Sequence, residues 1–243
     1  MSIKLVTFDF WSTIFHNEPS LLKKRQQLVS DLCEETGVDE EKRRKVDLAV
    51  LHAGKQWDVQ WKENNRTLDC EAWLTIVLDQ IGVQLSEDIF NEFCIKLQML
   101  LFSGNTKEIP GVRDALHYLK QQVKLSIISD TGIESGVFLR KLLEKENLNY
   151  FDYYVFSNEF GRSKPHPRVF NNVLEHFNLQ PDEVVHIGDS RRTDVAGAKS
   201  AGIHTIRYYG CNNDEDTVYT EADYAIGDYA VLPEIIQKIN SGV

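Results

Sequence analysis

Three short apolar runs, each ending in acids or hydroxyls, constrain this chain more than any other feature. Lys4-Leu5-Val6-Thr7-Phe8 leads into Asp9. Leu125-Ser126-Ile127-Ile128 leads into Ser129-Asp130-Thr131-Gly132, and Val184-Val185-His186-Ile187 leads into Gly188-Asp189-Ser190. Runs of this kind predict strands buried in a sheet that helices cover. Ligands of an open parallel sheet bind in the crevice beyond the carboxyl ends of its strands, so these polar residues stand where chemistry would take place. Further strands are expected at 153–156, 204–208 and 224–226. Helices are expected at 110–120, 136–146, 168–177, 194–201 and 233–239. Strands alternating with helices predict an α/β fold, a doubly wound Rossmann-like parallel sheet.

The interval between the first two strands reads differently. After a polar exit at Ile14-Phe15-His16-Asn17-Glu18, Pro19-Ser20 starts a helix over 21–36, with Gly37 as a natural stop. A second helix is expected from Asp39 to about Lys62, a third over 69–81 ended by Gly82, and a fourth from Ser86 to about Phe102. No strand pattern interrupts them. The expected organisation is a core of residues 1–18 and 106–243 with a helical insert at 19–105, read as a four-helix bundle. Trp57, Trp61 and Trp73 are expected in the core of that insert.

Composition narrows the function classes. The 243 residues are 42% hydrophobic and 26% charged, ordinary for a globular chain that buries a sizeable core. Thirty-seven acids against 27 lysines and arginines leave a net charge of −10, which argues against a nucleic acid or an anionic membrane as partner. A small phosphorylated substrate remains compatible, because one lysine can dominate a pocket. Cys33, Cys70, Cys94 and Cys211 lie far apart, with no metal-ligand spacing. Reduced thiols, an N-terminus without the pattern of a signal peptide and no run of membrane-spanning length make the cytoplasm the expected location.

The polar strand ends suit phosphoryl transfer, in which an anionic nucleophile approaches a phosphorus surrounded by negative oxygens and charge must be neutralised. Asp9 is a candidate nucleophile able to form an aspartyl-phosphate. Ser129 and the backbone of Asp130 and Thr131 are candidate donors to phosphate oxygens. Lys164, in the turn Gly161-Arg162-Ser163-Lys164-Pro165-His166-Pro167, is a candidate point charge on the transferring group and a support for Asp9. Asp189 is a candidate ligand of Mg²⁺, a hard cation that prefers oxygen. Asp194, five positions on, either ligates through water or holds Lys164. His186, inside an apolar strand, is expected to be a satisfied core residue, and His166 to be structural or exposed.

Taken in order, these motifs resemble the haloacid dehalogenase-like hydrolase superfamily, over about residues 1–18 and 106–243. The resemblance implies a helical cap between the first and second motifs and the same roles at Asp9, Ser129, Lys164, Asp189 and Asp194. It also implies that the backbone carbonyl of Trp11 ligates the metal. Phosphatases of the superfamily usually carry a second aspartate at this place, which protonates the leaving group and then activates water. Trp11 does neither, and Ser12 replaces the usual glycine-type residue. Three functions follow: a Mg²⁺-dependent phosphohydrolase with altered acid–base chemistry, a dehalogenase-like enzyme whose Asp9 attacks carbon, and a binding or regulatory module without turnover. The retained Gly188-Asp189 favours phosphoryl chemistry.

Overall fold

The computed structural model describes residues 2–104, 106–211 and 221–241. Met1, Asn105 and Val243, at the ends of expected segments, lie outside the described residues. In chain order the elements are β1 (Leu5–Phe8), β2 (Phe15–Asn17), α1 (Ser20–Glu35), α2 (Glu40–Arg43), α3 (Val46–Asn64), α4 (Cys70–Ile81), α5 (Glu87–Met99), β3 (Thr106–Glu108), α6 (Val112–Lys120) and β4 (Lys124–Ser129). There follow α7 (Gly136–Lys145), β5 (Tyr153–Phe156), α8 (Ser157–Phe160), α9 (Pro167–Phe177), β6 (Val184–Gly188), α10 (Ala196–Ser200), β7 (His204–Tyr208), β8 (Tyr224–Ile226) and α11 (Leu232–Ser241). The chain divides into two compact units: Met1–His16, Lys107–Asp130 and Glu146–Val243 form one, and Asn17–Thr106 with Thr131–Lys145 the other.

Residues 131–145, expected in the core, group with the second unit, whereas the first unit holds the expected α/β sheet. Its six strands are ordered β5-β4-β1-β6-β7-β8 and pair in parallel throughout. β1 lies at the centre, with Phe8 opposite Ile127 of β4 and Ile187 of β6. All four β1 residues are buried, and so are all five of β6, as the continuous apolar runs require of strands covered on both faces. One face packs on Val169, Phe170 and Val173 of α9 and Ala198 of α10. β2 and β3 form a separate two-stranded ribbon. At three residues each they are too short for a periodic signal in the sequence.

The second unit is built on helices α1 to α5 and α7. Leu32, Val50, Leu74, Val77 and Leu97 meet in one apolar core, which Ile133 joins. Gln98 accepts hydrogen bonds from the backbone N–H and the hydroxyl of Ser135 at 3.0 and 2.7 Å, and Arg25 pairs with the buried Glu134. The single helix expected over 39–62 is two, broken at Arg44-Lys45. Asp39 caps the first by accepting from the Lys42 N–H at 2.9 Å. α2 buries no residue, so no packing holds it in line with α3, whose Val46, Ala49, Val50 and Ala53 are anchored in the core. The tryptophans also divide. Trp73 is buried, whereas Trp57 and Trp61 are half-buried with ring centroids 5.4 Å apart. Both lie in the second half of α3, whose buried residues Val46, Ala49, Val50 and Ala53 all lie in its first half.

Close approach between α9 and α10 depends on Gly197. A Cβ there would stand 2.5 Å from the Phe170 ring and 3.1 Å from the Pro165 Cα. Gly197→Ala is expected to destabilise the α/β unit by about 1–3 kcal/mol through overpacking, read as a lowered melting temperature. An unchanged melting temperature would contradict this account of the packing.

Candidate active site

β1 continues past Phe8 through a backbone bond from Asp9 N–H to the Ile187 carbonyl, at 2.8 Å. Asp9 is thereby held at the carboxyl end of the central strand, beside the end of β6. The next turn is tight. Ile14 and Phe15 both donate to the Phe10 carbonyl, at 2.9 and 3.0 Å, and Ser12 adopts φ +58°. That left-handed backbone is where a glycine costs least, which accounts for the glycine-type residue expected there. Trp11 is half-buried, its ring edge-on to Phe10 with centroids 5.0 Å apart.

Lys164 reaches the same place from the turn before α9. Its backbone N–H donates to Asp130 Oδ1 at 2.8 Å, tying that turn to the end of β4. Its ammonium donates to Asp9 Oδ1 at 2.5 Å and to Asp194 Oδ1 at 2.6 Å, and all three side chains are buried. Asp189 completes the group: carboxyl oxygens of Asp9, Asp189 and Asp194 lie within 4.8 Å of one another.

Asp194 was expected to start a helix. It lies instead inside a π-turn over Arg191–Val195, after which α10 begins. Ser190 caps this turn, accepting from Thr193 N–H on its hydroxyl at 3.3 Å, while its carbonyl accepts from the N–H groups of both Asp194 and Val195 at 3.1 Å. The wide turn lets Asp194 fold back, so that its Oδ2 accepts from Ser190 N–H at 3.0 Å. Gly188 makes room: a Cβ there would sit 2.2 Å from Asp194 Cγ. With Lys164 and His186 both on Oδ1, each Asp194 oxygen is engaged by protein donors. Lys164 is thus bonded to Asp194.

Charge decides what the cluster can do. Three carboxylates face one ammonium. Burial pushes the Asp9 carboxyl well above the ordinary carboxylate range, opposed by Lys164 and reinforced by Asp194 and Asp189. Burial acts against the Asp194 carboxylate as well, but Lys164 and His186 outweigh it and hold its pKa below the ordinary range. Burial also disfavours the Lys164 ammonium, and Asp194, Asp9 and Asp130 together reverse that and keep it charged. An excess of buried negative charge presented by hard oxygen donors suits a divalent cation such as Mg²⁺.

The fold thus brings Asp9, Lys164, Asp189 and Asp194 together and fastens Asp130 to Lys164. Ser129 is buried at the end of β4. Thr131 is buried too and is grouped with the helical unit. His186 is a satisfied core residue, bonded to Thr7 and Asp194, and His166 caps α9 by accepting from Arg168 N–H at 3.3 Å. Reading by residue type missed what Gly188, Ser190 and the Asp130 carboxylate do to position other groups. Their only trace in the sequence is adjacency to the acids.

Removing the shared cation tests this electrostatic account. Lys164→Met, without added metal, is expected to cost about 3–5 kcal/mol at neutral pH, because the buried Asp9 and Asp194 lose the cation they share and Asp194 keeps only its bonds to His186 and Ser190. Asp194 has a lowered folded pKa, so its stabilisation is present above the unfolded value and is lost as pH falls through the folded one. The gap between variant and wild type should therefore narrow on acidification below about pH 4. Urea denaturation at several pH values measures it, and a gap that widens in acid would refute the assignment.

Comparison with known proteins places the chain in a family. The profile of the haloacid dehalogenase-like hydrolase family matches residues 6–208, from β1 to the end of β7. A glyceraldehyde 3-phosphate phosphatase of Pyrococcus furiosus is 33% identical over 136 residues, 55% of this chain and 56% of that protein. A phosphorylated carbohydrates phosphatase of Thermotoga maritima is 34% identical over 134 residues, 55% of this chain and 61% of that protein. The chain therefore spans somewhat over half the length of these relatives. Among solved structures, a 2-haloacid dehalogenase from Pseudomonas syringae has a TM-score of 0.71 at 21% identity, covering 97% of this chain and 99% of that one. The Bacillus subtilis hydrolase YfnB, bound to magnesium, has a TM-score of 0.65 at 19% identity, covering 97% and 99%. At these identities the two structures speak for the fold alone. The profile runs through all four strand-end and turn motifs that converge on Asp9, and this chain belongs to the haloacid dehalogenase-like hydrolase family.

Proposed function

We propose that the protein is a Mg²⁺-dependent phosphohydrolase acting on a small phosphorylated metabolite, of the class of phosphorylated sugars, through an aspartyl-phosphate at Asp9. The observation that carries this reading is the Lys164 ammonium bridging Asp9 and Asp194 beside Asp189. The names of the two phosphatase relatives support the substrate class. An Asp9 carboxylate oxygen attacks phosphorus, the P–O bond to the leaving group breaks, and an acyl phosphate forms on the protein. Water then attacks phosphorus, breaks the P–O bond of this mixed anhydride, and releases inorganic phosphate and the Asp9 carboxylate. Lys164 neutralises charge on the transferring group and steadies Asp9, Asp194 keeps Lys164 in place, and Ser129 with the backbone of Asp130 and Thr131 donates to phosphate oxygens. Mg²⁺ would be held by Asp9, Asp189 and the Trp11 carbonyl, and it supplies charge neutralisation when bound. The helical insert of residues 19–105 serves as the cap that sets specificity.

A second reading, attack of Asp9 on a halogen-bearing carbon, draws support from Trp11 at the place of the second aspartate. Asp189 weighs against it, because displacement at carbon needs no third buried acid. Halide release from 2-haloacids, measured beside phosphate release from a panel of sugar phosphates, separates the two. Halide without phosphate would overturn the phosphatase.

Two variants test the assignments. Asp189→Asn should weaken Mg²⁺ binding strongly by calorimetry, and Asp194→Asn less directly. Equal binding by wild type and Asp189→Asn would refute the metal assignment. Trp11→Asp should raise kcat/KM on an alkyl phosphate, approaching the roughly 10²–10⁴-fold that general acid–base catalysis supplies. The gain on an aryl phosphate should be smaller, since its leaving group needs less protonation, and Asp9→Asn should abolish both activities. An unchanged alkyl-phosphate rate in a well-folded Trp11→Asp protein would show that the missing acid is not what limits turnover.

A further inference from the structure

We propose that His186 is a positioning residue for this centre, fixed as its Nε2–H tautomer by Thr7 and acting through Asp194 on Lys164. The inference rests on the reading of Asp9, Lys164 and Asp194 as the reacting group. Thr7 and His186 stand opposite each other in the β1–β6 register, and both are buried. Thr7 Oγ1 lies 2.8 Å from His186 Nδ1, His186 Nε2 lies 3.0 Å from Asp194 Oδ1, and that oxygen lies 2.6 Å from Lys164 Nζ. Lys164 Nζ in turn lies 2.5 Å from Asp9 Oδ1. One buried chain of hydrogen bonds thus runs from a hydroxyl inside the sheet to the candidate nucleophile.

The direction of each bond follows from the chemistry of the groups. An ionised carboxylate only accepts, so the proton between His186 and Asp194 belongs to Nε2. In a neutral ring Nδ1 is then an acceptor, and the Thr7 hydroxyl donates to it. The other acceptor within reach of that hydroxyl, the Val185 carbonyl, is more distant at 3.3 Å. Phe170 packs edge-on against the imidazole at 5.2 Å between centroids and closes its other side. Asp194 Oδ1 therefore receives two donors from different directions, Lys164 and His186, while Oδ2 is held by Ser190 N–H. Without His186, Oδ1 keeps one donor, and the carboxylate that anchors Lys164 loses a fixed orientation. A partner that orients a ligand or catalytic group from behind is commonly worth 10–100-fold in activity.

The test uses the full chain with His186→Leu, His186→Gln, Thr7→Val and Thr7→Ser. Histidine-selective ¹⁵N NMR of the wild type should place the ring proton on Nε2. His186→Leu should lower kcat by about 10–100-fold with KM nearly unchanged, and His186→Gln, whose amide N–H can replace the donor to Asp194, should restore most of it. Thr7→Val keeps the shape without the hydroxyl, so it carries the test should His186→Leu fail to fold. It should shift the Nδ1 resonance and lower kcat by roughly 2–10-fold, and Thr7→Ser should reverse both. A ring proton on Nδ1 in the wild type overturns the inference. A folded His186→Leu with wild-type kcat, or a Thr7→Val with wild-type kcat and an unmoved Nδ1 resonance, does so as well. The NMR measurement needs no substrate. A wild type inert toward phosphate esters would overturn the proposed activity, while the ring proton would still decide the tautomer.

Discussion

The buried ammonium of Lys164, shared between Asp9 and Asp194, is the interaction on which the rest of the α/β unit depends. Taking a lysine and three carboxylates out of water is costly, and the cost falls only when each charge finds partners in good geometry. The molecule meets this with a connected polar network in an apolar surround. Asp130 fixes the lysine's backbone, Ser190 and His186 hold Asp194, and Thr7 satisfies the remaining nitrogen of His186. Such a network is worth keeping only when all its members are satisfied, because an orphaned group in a low dielectric costs more than a good pair returns.

The sheet exists, in this sense, to bring together groups that are distant along the chain. Asp9 and Lys164 are 155 positions apart, yet their side chains touch. Parallel strand order places β1 between β4 and β6, so the carboxyl ends of those three strands lie side by side, where such sheets bind ligands. Local backbone then makes the final adjustments. The π-turn after β6 inserts an extra residue and turns Asp194 inward, and Gly188 leaves the space its carboxyl group occupies. Irregular turns of this kind recur at functional sites, and here the reason is visible in the hydrogen bonds the irregularity permits.

The helical unit obeys a different rule. Its core is built from one apolar face of each longer helix, and in α3, whose buried residues all lie in its first half, Trp57 and Trp61 of the second half are left half-buried. Segment Thr131–Lys145 follows directly after the end of β4 and joins this unit through Ile133, Glu134 and Ser135.

Much of this was legible in the sequence. Continuous apolar runs announced buried parallel strands, 3.6-residue periodicity announced the helices between them, and acids at strand ends announced the site, because each of these signals is local. β5, β7 and β8 were readable to the residue. The break at Arg44-Lys45, the ribbon of β2 and β3 and the π-turn around Asp194 were not. Each is decided by what a segment packs against or bonds to, and neighbouring letters do not carry that information. The same distinction divides the site. The sequence determined that a carboxylate, a lysine and two further acids were available in order. Only the tertiary structure decided that Asp194 turns back toward Gly188 and that His186 stands behind it. Hydrogen bonds and charge pairing act over about 3 Å in space, whatever the distance along the chain.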